Sequence, residues 1–163
     1  MVIKDTLEKL GYNLYWKVLN SRDFGLPQNR ERVFIIGTKK GFFDFSLMKS
    51  VKAKPLKYFL DESNDFEYLK EEEYTLLKEG IYKRQQKTNL IFIGYRNKSG
   101  FKRGIRPNTL HLSRVHRQPN RIYSVEGYHP TLPSQEMSGR FFIYDTKKKK
   151  VRKLSINECY RIM

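Results

Sequence analysis

Cysteine is almost missing from this 163-residue chain, and carboxylates are scarce in its second half. The one cysteine, Cys159, excludes an internal disulfide and any cysteine-rich zinc site, which fits a reducing, intracellular compartment. The three histidines, His111, His116 and His129, have no carboxylate or cysteine at metal-ligand spacing. They are expected at the surface or beside a bound polyanion, and no metal is expected. No stretch approaches the ~20 apolar residues of a membrane-spanning helix, and the opening residues MVIKDTLEKL lack the apolar core of a signal peptide, so no membrane is expected as a partner.

What the chain has in excess is positive charge. Lys and Arg number 33 against 17 Asp and Glu, a net of +16. Residues 1–80 hold 14 basic and 13 acidic side chains, whereas residues 81–163 hold 19 and 4. A generically basic protein would spread its excess evenly. The asymmetry puts an anion-facing surface in the second half and makes a polyanion the first partner to consider. With 39% hydrophobic and 14% aromatic residues the chain has the means to bury a modest core.

Val2, Ile3, Leu7 and Leu10 fall near helical spacing, with Gly11 where a left-handed cap is wanted. Tyr12 to Leu19 reads as a strand, and Val33-Phe34-Ile35-Ile36-Gly37 as a second, apolar enough to be buried on both faces. The polar segment between them holds Gly25, Pro27 and three arginines, Arg22, Arg30 and Arg32. Residues 48–80 read as a linker with one or two weakly amphipathic helices, the acidic run Asp61 to Glu79 forming a solvated face. From Asn89 onward short β segments follow, Leu90–Gly94, Arg121–Ser124 and Arg140–Tyr144, with a lysine-rich hairpin tip at Asp145–Lys150. Ser155 and Glu158 stand at capping-box spacing before a last helix. Both ends of the chain cut into elements, so a piece of a larger protein is expected. The expected divisions are 1–47, 48–80, 81–146 and 147–163.

Leu19 to Gly37, with Gly25-Leu26-Pro27-Gln28-Asn29-Arg30-Glu31-Arg32 at its centre, resembles conserved motif VIII of the DNA (cytosine-5)-methyltransferases. Arg152 to Met163 resembles motif IX of the same family, and Gln118–Ser124 with Thr131-Leu132 resembles the DNA-contacting part of its bacterial restriction-modification members. The resemblance implies an α/β fold: the last strands of a Rossmann-like S-adenosylmethionine-dependent methyltransferase domain, then a small, β-rich, irregular target-recognition domain. It implies double-stranded DNA as partner, in the bacterial cytoplasm near the nucleoid. The Phe-x-Gly-x-Gly cofactor loop, the Pro-Cys nucleophile and the Glu-Asn-Val motif of the family do not occur in this sequence. S-adenosylmethionine is therefore expected to bind the full enzyme and not this chain alone, which is expected to be inactive without a catalytic half on the same or a separate chain. Cys159 is expected to be a small packing residue, not the nucleophile.

A cytosine inside a duplex must be flipped out before its ring can be attacked, at a cost of a few kcal/mol. By resemblance Arg30 and Arg32 hold the flipped nucleotide; a planar, permanently charged fork that grips two oxygens suits that task. The same resemblance implies that Gln118 fills the gap in the duplex, its amide both donating and accepting. It also implies that Arg121 reads a guanine edge and that Thr131 touches the phosphate beside the flipped base. Gln28, Tyr123 and Ser124 complete the expected DNA-binding set. Arg106, Arg114, Arg117 and Arg140 are expected mainly on phosphates. A basic nucleic-acid-binding module without catalysis is the alternative reading.

Overall fold

The computed structural model describes residues 2–62, 65–78, 83–97, 120–132 and 142–163. Helix α1 (Val2–Lys9) ends where the glycine required it: Gly11, at φ +80, donates to the Glu8 carbonyl, and Tyr12 donates back to Leu7. Strands β1 (Asn13–Asn20) and β3 (Glu31–Thr38) pair antiparallel along their whole lengths. Between them, Asn20 caps a 3-10 turn, Ser21–Asp23, and a two-residue strand β2 (Gln28–Asn29) follows. Both strand expectations hold, but not the burial expected of the second. Trp16, Val18, Val33 and Ile35 are all at least half exposed, because this sheet has only two strands among the described residues.

Within residues 48–78 the described backbone is tied to the β-rich half of the chain. Leu56, wholly buried, starts a 3-10 turn whose amides donate to Gly127 and Val125, and Leu69 donates to Val151. Tyr74–Leu76 forms strand β4, not part of a helix. The apolar residues of this segment do not make a helical stripe; Leu69, Tyr74 and Leu76 each reach the same apolar core from extended backbone.

That core is built on strands β5 (Lys83–Gln85), β6 (Leu90–Arg96), β7 (Arg121–Ser124), β9 (Phe142–Asp145) and β10 (Lys150–Lys153). They form a sheet in the order β10-β9-β7-β6-β4, with β5 also on β6; β7 and β9 run parallel and the other pairs antiparallel. Alternation sends Ile122, Phe142 and Val151 to one face and Tyr123 and Ile143 to the other, so the sheet is covered on both sides. A bulge between Phe92 and Gly94 bends β6, and at Gly94 any side chain would strike the Thr75 carbonyl of β4. The described residues form a mixed α/β fold, with a curled sheet and few helices. No helix among the described residues is long and apolar enough to cross a membrane.

The last helix, α2 (Ile156–Arg161), begins with the expected capping box: Ser155 Oγ accepts from Glu158 N, and the Glu158 carboxylate accepts from Ser155 N. Glu158 does more than cap. It is fully buried against Arg152, whose guanidinium donates to both carboxylate oxygens at 2.7 and 2.8 Å, and it also accepts from Asp61 N. The Arg152 guanidinium lies 3.7 Å from the Phe66 ring centroid. Two desolvated charges are tolerated here because a bidentate pair and further hydrogen bonds engage most of their polar atoms, with the Asp145 carboxylate 3.9 Å from the remaining Arg152 Nε. Cys159 packs against the core cluster of Leu56, Ile143, Leu154 and Ile162, as a packing residue does.

His129, expected at the surface or beside DNA, is instead wholly buried in strand β8 (His129–Pro130). Its place is dictated by β8 pairing parallel with β2, His129 opposite Gln28 and Pro130 opposite Asn29. His111 and His116 lie outside the described residues.

Candidate nucleic-acid interface

The turn carrying Arg30 and Arg32 is held by a set of hydrogen bonds that centre on Asn20. Its Oδ1 accepts from the backbone N–H of Arg22 and of Arg30 at 3.3 and 3.1 Å, while its Nδ2 donates to Asn29 Oδ1 at 2.9 Å. The Arg30 carbonyl in turn accepts from Ser21 N, and Ser21 Oγ donates to the Gln28 carbonyl. Arg30 is therefore pinned at both its backbone polar groups while its side chain stays half-exposed; Arg32 is exposed, one guanidinium N–H donating to the Glu31 carbonyl. Neither arginine forms an ion pair with Glu31 among the described residues, so both remain available to an anion.

The same turn is fastened to the β-rich half at three points. His129 N donates to the Pro27 carbonyl at 2.7 Å, Thr131 Oγ1 donates to the Asn29 carbonyl at 2.8 Å, and Gln28 Nε2 donates to the Ile162 carbonyl at the end of α2. Arg22 adds a fourth link, its guanidinium donating to the Lys87 carbonyl in the β5–β6 turn and lying beside Asn29 Oδ1. Asn20 and Arg22 were not among the residues expected to serve the site. They stand in the motif, but nothing in residue type or spacing tells that one caps the turn and the other bridges to residue 87, 65 positions away.

Three of the expected DNA contacts are interior residues. Gln28 is wholly buried and holds the α2 end; Tyr123, 2% exposed, belongs to a core cluster with Ala53, Leu90 and Tyr128; and Ser124 is buried with its hydroxyl accepting from Glu126 N. Parallel pairing draws the first inward; the other two lie on opposite faces of β7 and are buried because the sheet is covered on both sides. Arg121, half-exposed beside them, lies over the Phe92 ring at 5.7 Å and hydrogen-bonds the Tyr123 phenol, whose pKa burial pushes up. Thr131 is half-exposed, its hydroxyl proton engaged with Asn29. Arg106, Arg114, Arg117, Gln118 and Arg140 lie outside the described residues. Lys147 to Lys150 are exposed at the hairpin tip, which Asp145 stabilises by accepting from Lys147 N and Lys148 N. No group of three or more His, Cys, Asp or Glu side chains able to hold a metal occurs among the described residues.

A hydrogen-bonded turn presents two arginines without a carboxylate partner among the described residues, in a chain whose second half carries the excess of positive charge. The sequence profile of the C-5 cytosine-specific DNA methylases matches residues 1–163, and the chain belongs to that family. It is 49% identical over 53 residues to the type II methyltransferase M.NlaIV of Neisseria lactamica, covering 32% of this chain and 12% of that protein. To the type II methyltransferase M.HaeII of Haemophilus aegyptius it is 44% identical over 73 residues, covering 37% and 23%. The orphan methyltransferase M.Rho11sI of Bacillus phage rho11s is 28% identical over 170 residues, which cover 85% of this chain and 33% of the phage protein. The matched part is thus a third or less of these relatives' own lengths.

Proposed function

We propose that this chain is the DNA-recognition part of a restriction-modification cytosine-5 methyltransferase, holding duplex DNA and an extruded cytosine for methyl transfer from S-adenosylmethionine. The observation that carries this reading is the clasp between the Arg30–Arg32 turn and residues 129–131: it sets the two arginines at a fixed offset from β7, which bears Arg121. A preset geometry matters because flipping costs a few kcal/mol, and contacts already ordered before DNA arrives offset that cost without a further entropy loss. In this reading Arg30 and Arg32 grip the flipped nucleotide, Arg121 contacts a base edge, and Thr131, Arg106, Arg114, Arg117 and Arg140 meet phosphates, with Gln118 entering the duplex. Gln28, Tyr123 and Ser124 serve as the scaffold behind them.

One cleft among the described residues is lined by Lys17, Arg22, Lys52 and Lys87 against one carboxylate, Asp23. Such a lining repels the sulfonium cation of S-adenosylmethionine, and the residues of this cleft do not fit that cofactor. The reading therefore places the cofactor loop, the Pro-Cys nucleophile and the Glu-Asn-Val glutamate on a catalytic part, in the same protein or a second chain. The test is complementation: adding a polypeptide that carries those motifs should give methyl transfer to duplex DNA, and Arg30→Ala with Arg32→Ala should abolish it. Failure of two folded, associated chains to methylate would overturn the proposal. Tight, sequence-selective binding by this chain with no complementation would instead favour a binding module without catalysis.

A further inference from the structure

The cationic cleft has features of its own. It is open, of about 760 Å³, and lies between the β1–β3 ribbon and the β5–β6 turn at 86–89. Its cationic groups come from four separate places: Lys17 on β1, Arg22 in the 3-10 turn, Lys52 ahead of the Leu56 turn, and Lys87 in the hairpin. Arg22 is oriented by the Lys87 carbonyl, by Asn29 Oδ1 at 3.4 Å and by Asp23 at 3.5 Å. Lys17, Lys52 and Lys87 have no carboxylate within salt-bridge distance among the described residues. Tyr128 forms part of the wall, fixed by its phenol donating to the Ala53 carbonyl at 3.0 Å. Four cations line the cleft against Asp23, with Asp44 also near Lys17, and the excess of positive charge raises the energy of the free protein through mutual repulsion, which an anion relieves.

The cleft is also continuous with the arginine turn. Leu19 faces Arg32 across the ribbon, and Lys17 stands two residues back along the same strand. Alternation therefore puts Lys17 and Arg32 on one face of the sheet, about 7 Å apart along the strand direction. Anionic groups repeating at a similar spacing are the phosphates of a nucleic-acid strand, about 7 Å apart along a backbone and one per 3.4 Å of duplex axis.

We infer that this cleft is a second anion site, which takes the phosphodiester backbone of duplex DNA flanking the base held at Arg30 and Arg32. The inference rests on the DNA-recognition reading above and adds to it a separate contact, one that lies off the base-reading strand β7. Lys52 and Lys87 make phosphate contacts there, while Arg22 both binds and fixes the cleft's shape. Contacts of this kind position the duplex and carry no sequence information.

The test is the salt dependence of duplex binding, measured by fluorescence anisotropy on a mixed-sequence duplex with the whole chain. The variant Lys52→Ala with Lys87→Ala should lower the slope of log K against log salt by about 2, close to one for each phosphate no longer neutralised. The matched variant Lys9→Ala with Lys40→Ala, which removes the same charge from exposed positions outside the cleft, should leave the slope unchanged. Both pairs are exposed side chains, so circular dichroism should show the fold intact. Equal effects from the two pairs, or none from the cleft pair, would overturn the inference while leaving DNA recognition standing. A wild-type chain that does not bind duplex at all would sink the recognition reading itself. Displacement of the duplex from the wild-type cleft by free deoxycytidine monophosphate, with no such competition in the cleft variant, would assign the site to a free nucleotide and also overturn it.

Discussion

Acidification should loosen the clasp that sets the arginine turn, and the size of the effect follows from one histidine. His129 is wholly buried in β8, and burial pushes its imidazole down to about 4, against the opposing pull of the Pro130 carbonyl. In the unfolded chain the same group titrates at the ordinary value of 6.5. The folded state thus keeps His129 neutral where the unfolded state has already taken up a proton. Stability from this group is present in full above pH 6.5 and is lost progressively as pH falls to about 4. At ~1.36 kcal/mol per unit the loss is about 3 kcal/mol, a large part of the ~5–15 kcal/mol that holds a typical domain. Urea unfolding of the wild type and of His129→Asn, from about pH 7 to about pH 4, isolates the contribution, since asparagine does not titrate. The two stability curves should converge by about 3 kcal/mol across that range. Parallel curves would refute the reasoning, as would an NMR titration that finds His129 near 6.5 in the folded chain.

Glu158→Gln strands the Arg152 charge in the interior and should cost about 3–5 kcal/mol, read as a lowered Tm; replacing both partners with apolar residues should recover much of it. Gly94→Ala forces a methyl group onto the Thr75 carbonyl, and a loss of about 1–3 kcal/mol with faster amide exchange at Leu77 is expected. Arg121→Ala should relax preference at one base pair, costing about 1–3 kcal/mol there, whereas Lys149→Ala should weaken cognate and random duplexes alike; equal losses on both DNAs for Arg121→Ala would remove its base-reading role.

The family was legible in the chain because motif VIII is a local signal: Asn20, Gly25, Pro27, Gln28, Arg30 and Arg32 stand within thirteen positions. The capping box of α2, the Gly11 cap, the lysine hairpin and strands β1, β6 and β7 were legible for the same reason, since each depends on residues a few places apart. Whether Val33 and Ile35 are covered depends on strands beyond their own hairpin, and no periodicity within the segment tells how many neighbours it has. Residues 48–80 misled in a related way. Their spacing suits a weak helix, yet the energy gained by placing Leu56, Leu69 and Tyr74 against a distant sheet exceeds what a short isolated helix returns.

For the charged and polar residues the division is sharper. Composition alone determined that the second half of the chain carries the excess of positive charge, because charge is additive and needs no geometry. Only tertiary structure decided which polar side chains face outward. Gln28 and His129 meet through a parallel pairing between segments about a hundred residues apart, and Glu158 finds Arg152 by helix docking. A buried polar group is stable only if its partners are in place, and those partners are long-range neighbours that a one-dimensional pattern does not bring together.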